Sequence, residues 1–578
     1  MKQLRIALAQ INSTVGDFQG NVQKIIENIR KARAAGADIV AFPELAITGY
    51  PPEDLLLKPS FVEANLKGLD EVIAAARGIT AVVGFVDPND GLHNAAAIIH
   101  NRRLVSVYKK IYLPNYGVFD EKRYFQAGTT CPVFEIAGVG IGFNVCEDIW
   151  YDTGPATVQA TSGAEVIINI SASPYHHGKH LFREQMLGAR AIDNVSIVAF
   201  CNLVGGQDEL VFDGGSVIFD EQGNTIARAG QFEEDLLVAD VDVENVSRSR
   251  MQDQRWRKEG QTLECDCPSK RVMVSASRSR IVRPTLKKQI TPLLNADAEV
   301  YGALVLGTRD YIRKNGFTGV IIGLSGGVDS SLVATIAVDA LGPEAVHGLI
   351  MPSRFSSPQS AEYAEQLAAN LGIKTSTISI EKTYRAYLES LADVFKTIKP
   401  DVTEENIQAR IRGNLLMALS NKFGWLVLNT GNKSEVATGY TTLYGDMAGG
   451  FALIKDVPKT LVYRLCQYRN AQAGFDLVPE FVIKRVPSAE LRPGQKDSDS
   501  LPEYDLLDPI LLAYVEEDKG VEQIVAQGYD AAVVKKVARL VDGSEYKRRQ
   551  APPGIKITAK AFGRDRREPI TSKFRDGG

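Results

Sequence analysis

Cysteine and histidine are scarce, with six of each among 578 residues. Cysteines 131, 146, 201, 265, 267 and 466 are too few and too scattered for a disulfide framework. Cys265 and Cys267 form C-x-C, not the C-x-x-C of a redox or zinc site, so they are not expected to hold a metal. None of the histidines (93, 100, 176, 177, 180, 347) sits in a recognisable cysteine-hydrolase context, so a reactive thiol here must find another base. Neither sign of charge predominates. With 66 basic and 70 acidic residues the net charge is -4, which leaves no footprint for nucleic acid or an anionic membrane. No uninterrupted apolar run approaches the ~18 residues of a membrane span. The opening MKQLRIALAQINS alternates into a strand and lacks the apolar core of a signal peptide. The expectation is a reduced, cytoplasmic protein with neither nucleic acid nor membrane as partner.

What is present is an ordinary folded composition, 44% hydrophobic and 24% charged, in a chain long enough for two or more domains. The first half alternates strands (LRIALAQ, DIVAF, AVVGF, NAAAIIH, VGIGFNV, EVIINISAS, SIVAFCN, LLVADVD) with helices predicted over Asn21–Ala35 and about Lys179–Asp193. Between about Val243 and Leu294 the chain becomes polar, basic and aperiodic, which places a linker there. The second half returns to βα units: helices over Glu299–Asn315 and Glu404–Lys422, and strands at AVHGLIMPS, KTSTISI and WLVLNTGN. Such alternation favours a parallel sheet covered by helices on both faces, with ligands beyond the carboxyl ends of the strands. Gly323–Ser330, Met351–Arg354 and Asn429–Glu435 all fall at such ends.

VIIGLSGGVDSSL, Val320–Leu332, reads as a buried strand, a glycine-rich turn and a helix start, an arrangement that points backbone N–H groups at a phosphate. It lacks the G-K-[ST] that serves a transferring terminal phosphate. S-G-G-V-D-S resembles instead the pyrophosphate loop of N-type ATP pyrophosphatases, which attack the α-phosphate. NTGNKSEVATGYTTLYGD is similar to the signature of the NAD synthetases, in which the acceptor is the nicotinate carboxylate of deamido-NAD. The resemblance implies ATP contacts from Gly323, Leu324, Ser325, Gly326, Gly327, Val328, Asp329, Ser330, Thr430, Lys459 and Ser488. It implies Mg²⁺ held by Asp329 and Glu435, and deamido-NAD near Arg410, Glu435 and Lys547. Leu443 and Gly450 depart from the lysine and aspartate often found at these positions in ammonia-only members. The basic stretch Lys547–Arg575 reads either as a phosphate-facing lid or as a solvated tail.

In the first half, Cys146 ends an apolar strand in GFNVCEDIW, Glu44 follows a strand in AFPEL, and Lys110 lies in YKKIYLPNYGVFDE. Their order resembles the Glu-Lys-Cys triad of the nitrilase (carbon–nitrogen hydrolase) superfamily. That resemblance implies Glu44 as general base, Lys110 as stabiliser of negative charge and Cys146 as nucleophile. It further implies Tyr116, Glu121, Ser173 and Lys179 around a glutamine substrate.

Over the whole chain the fused pattern resembles the glutamine-dependent NAD synthetases. The implied fold is α/β: a nitrilase-like αββα sandwich over residues 1–275, a linker at 276–293, and a doubly wound, Rossmann-like parallel sheet over 294–578. The implied reaction consumes glutamine, ATP and deamido-NAD, with ammonia passed between the sites of a homo-oligomer. The residues alone leave open another ATP-pyrophosphatase amidotransferase with a different carboxylate acceptor, or a nucleotide-sensing scaffold.

Overall fold

The computed structural model describes residues 3–254, 256, 269–276, 283–574 and 576. Cys265, Cys267 and part of the expected linker lie outside these. The chain forms two compact units, one of residues up to 207 with 211–294, the other of 208–210 with the residues from 295 onward.

In the first unit, β1 (Gln3–Gln10), α1 (Phe18–Ala34), β2 (Ile39–Ala41), α2 (Pro59–Ala75), β3 (Thr80–Asp87), β4 (His93–His100) and β5 (Arg103–Lys109) come first. Then follow β6 (Val133–Ile136), β7 (Val139–Val145), α3 (Pro155–Thr161), β8 (Val166–Ser171), α4 (Lys179–Asp193) and β9 (Ile197–Asn202). The unit continues with β10 (Val204–Gln207), β11 (Leu210–Asp213), β12 (Val217–Phe219), β13 (Thr225–Arg228), β14 (Asp235–Asp242), α5 (Val243–Gln252) and β15 (Arg271–Met273). Two mixed sheets result, ordered β14-β1-β2-β3-β4-β5 and β13-β12-β9-β8-β7-β6-β15. Alternation puts Leu4, Ile6 and Leu8 of β1 against Ile141, Phe143 and Ile168 of the other sheet in one buried layer. The opposite face of β1 (Ala7, Ala9) packs with Val22, Ile25 and Ile29 of α1. Leu187 and Ala191 of α4 cover Ile167 and Val198 of the second sheet. This is the four-layer αββα sandwich.

The stretch from Val243, expected to be aperiodic, begins with the helix α5. Only Val243 and Val246 of its ten residues are buried, too few to print a helical period. Further on, β15 adds a parallel edge to β6, and Arg283 pairs with Asp38 at 2.9 Å. These parts of the junction belong to the first unit.

The second unit contains α6 (Ala296–Lys314), β16 (Val320–Gly323), α7 (Val328–Leu341), β17 (Val346–Ile350), α8 (Pro358–Leu371) and β18 (Lys374–Thr377). Next come α9 (Glu381–Phe395), α10 (Val402–Phe423), β19 (Leu426–Asn429), α11 (Lys433–Thr438), β20 (Phe451–Ala452) and α12 (Lys459–Ala473). The sheet order is β18-β17-β16-β19-β20 and every pair is parallel. The chain runs outward from β16 in one direction and returns beside it as β19, so the order reverses between those strands. The C-terminal stretch is not a solvated tail over its central part. Ile555 and Ile557 are fully buried, and Asp456 accepts the Ile557 and Thr558 N–H groups at 2.8 Å each. Among the described residues no helix is long and apolar enough to cross a membrane.

Candidate active sites

Strand ends of the first unit converge on one buried cluster. Glu44 follows β2, in a turn that presses on Gly84 of β3. A Cβ at Gly84 would meet the Leu45 nitrogen at 2.3 Å and the Pro43 oxygen at 2.4 Å, so glycine permits the approach. Lys110 follows β5, and its ammonium contacts Glu44 Oε1 at 2.7 Å and Glu121 Oε2 at 2.9 Å. Asn94 on β4 donates to Glu44 Oε1 (2.6 Å), and the Ala172 N–H, just beyond β8, to Oε2 (2.9 Å). Tyr50 donates to Glu121 at 2.9 Å. Burial opposes the Lys110 charge, but Glu121 and Glu44 outweigh it and hold the ammonium protonated, well above the usual lysine range. Glu121 is itself pushed up, by burial and then by Glu44, against the pull of Lys110.

Cys146 follows β7 with φ at +46°, a left-handed conformation that costs a non-glycine residue roughly 1–2 kcal/mol. Its thiol is pushed far up, first by burial and then by the Glu44 charge, with Lys110 opposing. At rest the sulfur is therefore a protonated thiol beside a fixed cation. Glu44, Lys110, Cys146 and Glu121 are brought together in this cluster. Tyr116 lies further out: its ring is exposed and its hydroxyl sits 3.0 Å from both oxygens of Glu147. Ser173 is buried, its N–H on Asn202. Lys179 donates to the Pro174 carbonyl (2.8 Å) and lies over the Trp150 ring. Asn94 and Tyr50 escaped the sequence reading. Asn94 carried a signal, an amide heading the apolar run AAAII within a strand.

In the second unit, a cavity of about 310 Å³ opens at the strand-order reversal. Its lining includes Gly323, Leu324, Ser325, Gly327, Val328, Asp329, Ser330, Thr430, Glu435, Lys459 and Ser488. Gly326 turns the loop behind it at φ +75°, and a Cβ there would meet the Ser360 carbonyl oxygen at 2.2 Å. The Ser325 and Ser330 hydroxyls lie 3.1 Å apart, and Gly327 N–H donates to Ser325 Oγ. Asn432 caps α11 and joins the two acidic residues: it donates to Asp329 (2.9 Å) and accepts from the Glu435 N–H (3.0 Å). N-x-x-E is a capping-box spacing, so this residue was legible in NKSE. Lys459 bonds Asp329 and lies 3.6 Å from Glu435. Burial and the Asp329 charge raise the Glu435 carboxyl to about 8, against the pull of Lys459. Asp497, unforeseen, also lines the cavity and accepts from Tyr504 at 2.9 Å.

Arg410 is exposed, donating to the Leu443 carbonyl, whereas Arg412 lines the cavity. Two residues apart on a helix is about 200°, so the two arginines face nearly opposite ways. Burial lowers Arg412 to about 10. Lys547 reaches the carbonyls of Gly439 and Thr441 at 2.7 and 2.8 Å and does not line the cavity.

A thiol beside a buried carboxylate–lysine pair in an αββα sandwich, and a phosphate-type loop on a parallel sheet, define a carbon–nitrogen hydrolase joined to a nucleotide-activating enzyme. The family model for carbon-nitrogen hydrolases matches residues 5–251, and that for NAD synthase matches residues 300–551. The chain is 49% identical to the glutamine-dependent NAD(+) synthetase of Thermotoga maritima over 100% of both chains. It is also 49% identical to that of Aquifex aeolicus, over 99% of this chain and 100% of the relative. A solved glutamine-dependent NAD+ synthetase from Acinetobacter baumannii, in complex with ADP, shares 41% identity at a TM-score of 0.75, with 98% of each chain covered. The chain belongs to the family of glutamine-dependent NAD(+) synthetases.

Proposed function

We propose that the chain converts deamido-NAD, ATP, glutamine and water to NAD, AMP, pyrophosphate and glutamate. The observation that carries this reading is the Lys110 ammonium, lodged between Glu44 and Glu121 in the buried cluster that contains Cys146. In such a place the thiol loses its proton only as its bond to carbon forms, so a base must take it at that moment. Glu44, held by Asn94 and the Ala172 N–H, is that base. Attack on the glutamine side-chain amide gives a tetrahedral intermediate whose oxyanion faces the Lys110 charge. The proton returns from Glu44 to the leaving nitrogen and ammonia departs. Glu44 then deprotonates water, which opens the thioester to glutamate. Tyr116, Glu121, Ser173 and Lys179 orient the amino acid.

In the second unit the nicotinate carboxylate of deamido-NAD attacks the α-phosphate of ATP. Pyrophosphate leaves into the Ser325–Ser330 loop, beside Lys459. Asp329 and Glu435 are hard oxygen donors whose crowding raises the Glu435 proton affinity, so the pair suits Mg²⁺. Bound there, Mg²⁺ would supply charge neutralisation for the phosphates. Ammonia then displaces AMP from the acyl adenylate. Arg412, lining the cavity, is better placed than Arg410 to face the dinucleotide, and Lys547 holds the 439–441 backbone. The two activities are assigned to residues 1–275 and 294–578. The test supplies glutamine labelled with ¹⁵N at its amide. Label is expected in the carboxamide of NAD, and unlabelled NAD would overturn the proposal.

A further inference from the structure

Asp148 lies two residues after Cys146 and has no solvent exposure. Its carboxylate is used at all four acceptor positions. Oδ1 accepts the N–H groups of Ile111 (3.1 Å) and Tyr112 (2.8 Å), and Oδ2 accepts the Val145 N–H (3.0 Å) and the Tyr108 hydroxyl (2.8 Å). Val145 immediately precedes the cysteine. Tyr108 precedes the lysine by two residues, and Ile111 and Tyr112 follow it. One side chain therefore ties both flanks of Lys110 to the strand end that presents Cys146. On the far side, Asn169 Nδ2 reaches the Cys146 carbonyl at 3.3 Å. A cysteine in the left-handed region holds that conformation only where its surroundings over-determine it.

We infer that Asp148 is a positioning residue for glutamine cleavage, its carboxylate fixing the spacing between the Lys110 ammonium and the Cys146 sulfur. The inference rests on the proposed glutaminase reaction and adds to it a residue that touches neither substrate nor reacting atoms. An acceptor-only group is required. The amide of Asp148→Asn must turn an N–H toward at least one donor on one flank, while the volume of the side chain is kept. Burial pushes the Asp148 carboxyl up to about 6, and the Tyr112 and Val145 N–H groups pull it down, so above that range it is the carboxylate the contacts demand.

The experiment uses the full chain. Asp148→Asn is assayed for glutamine-driven NAD formation, for ammonium-driven NAD formation, and for the rate at which iodoacetamide alkylates Cys146. Expected are a fall of at least thirtyfold in glutamine-driven kcat, a glutamine KM within threefold of the parent, alkylation slowed at least tenfold, and ammonium-driven synthesis within twofold. A kcat within threefold of the parent overturns the inference, as does a loss confined to KM. Should Asp148→Asn fail to fold, Tyr108→Phe removes one donor and leaves the carboxylate. Alkylation slowed three- to tenfold at unchanged KM supports the clamp, and a parent-like rate overturns it. If the parent chain itself releases no glutamate from glutamine, the glutaminase reading fails instead, and the two failures are distinguished.

Discussion

Each site buries a lysine against two carboxylates, Lys110 with Glu44 and Glu121, Lys459 with Asp329 and Glu435, yet the surroundings differ. In the first, Lys110 and Glu44 are wholly shielded from solvent, and Asn94, Ala172 and Tyr50 supply further donors. In the second, the Asp329 and Glu435 side chains remain 17% and 19% exposed to a cavity, and Asp497 lines the same wall. The first cluster is electrostatically complete before substrate arrives, as suits a neutral amide and a reaction made of proton shifts. The second crowds Asp329, Glu435 and Asp497 near one lysine, a concentration of acidic groups that a bound cation would relieve. Preorganisation is thus built into one site and left to the ligands in the other.

The sharpest way to break this comparison is Cys146→Ala. Glutamine-driven NAD formation should fall by more than about 1,000-fold, while ammonium-driven formation stays within about twofold, because a covalent nucleophile has no substitute. Asp329→Ala should instead cut both by about 100-fold or more, read in parallel assays with the two nitrogen sources. A selective loss in either direction would contradict the assignment of Asp329 to a step common to both donors. Gly326→Ala forces a Cβ to within 2.2 Å of a carbonyl oxygen at φ +75°, and should weaken both activities by about tenfold through the displaced loop, measured as a raised ATP KM.

A pH profile separates the sites further. The Asp148 carboxyl, raised to about 6 by burial and lowered by the Tyr112 and Val145 N–H groups, Lys110 and Tyr108, is a carboxylate above that pH and takes a proton below it. Glutamate release should therefore decline as pH falls through about 6, by several-fold per unit, in a glutaminase assay without ATP. A rate that is flat to pH 5 would sink this expectation. A last test concerns orientation within one helix. Arg412→Ala should raise the deamido-NAD KM by about tenfold and Arg410→Ala by less than about threefold; equal effects would erase the distinction.

Much of this was readable from residues. Apolar alternation located the strands, and the landmark side chains Glu44, Lys110, Cys146 and the Ser325–Ser330 loop fall at strand ends as their neighbours in sequence suggest. The rest depends on tertiary partners. Nothing in NIQARIRGN says which arginine lines the cavity until the helix is packed against the sheet. The basic C-terminal stretch read as a lid or a solvated tail because its charges outnumber its apolar residues. Its two buried isoleucines and the carboxylates of Asp456 and Asp565 come from packing that composition does not reveal. α5 was hidden because a two-residue anchor leaves no period.

Lys433, next to Asn432, is bound by Asp456 at 2.9 Å, Glu516 at 2.7 Å and the Thr558 hydroxyl at 2.8 Å. The last of these partners lies twenty residues from the end of the chain. These three groups brace from behind the segment whose Asn432 bridges Asp329 and Glu435. A change at Thr558 would therefore reach the acidic pair without touching it, by loosening the lysine behind the residue that joins them.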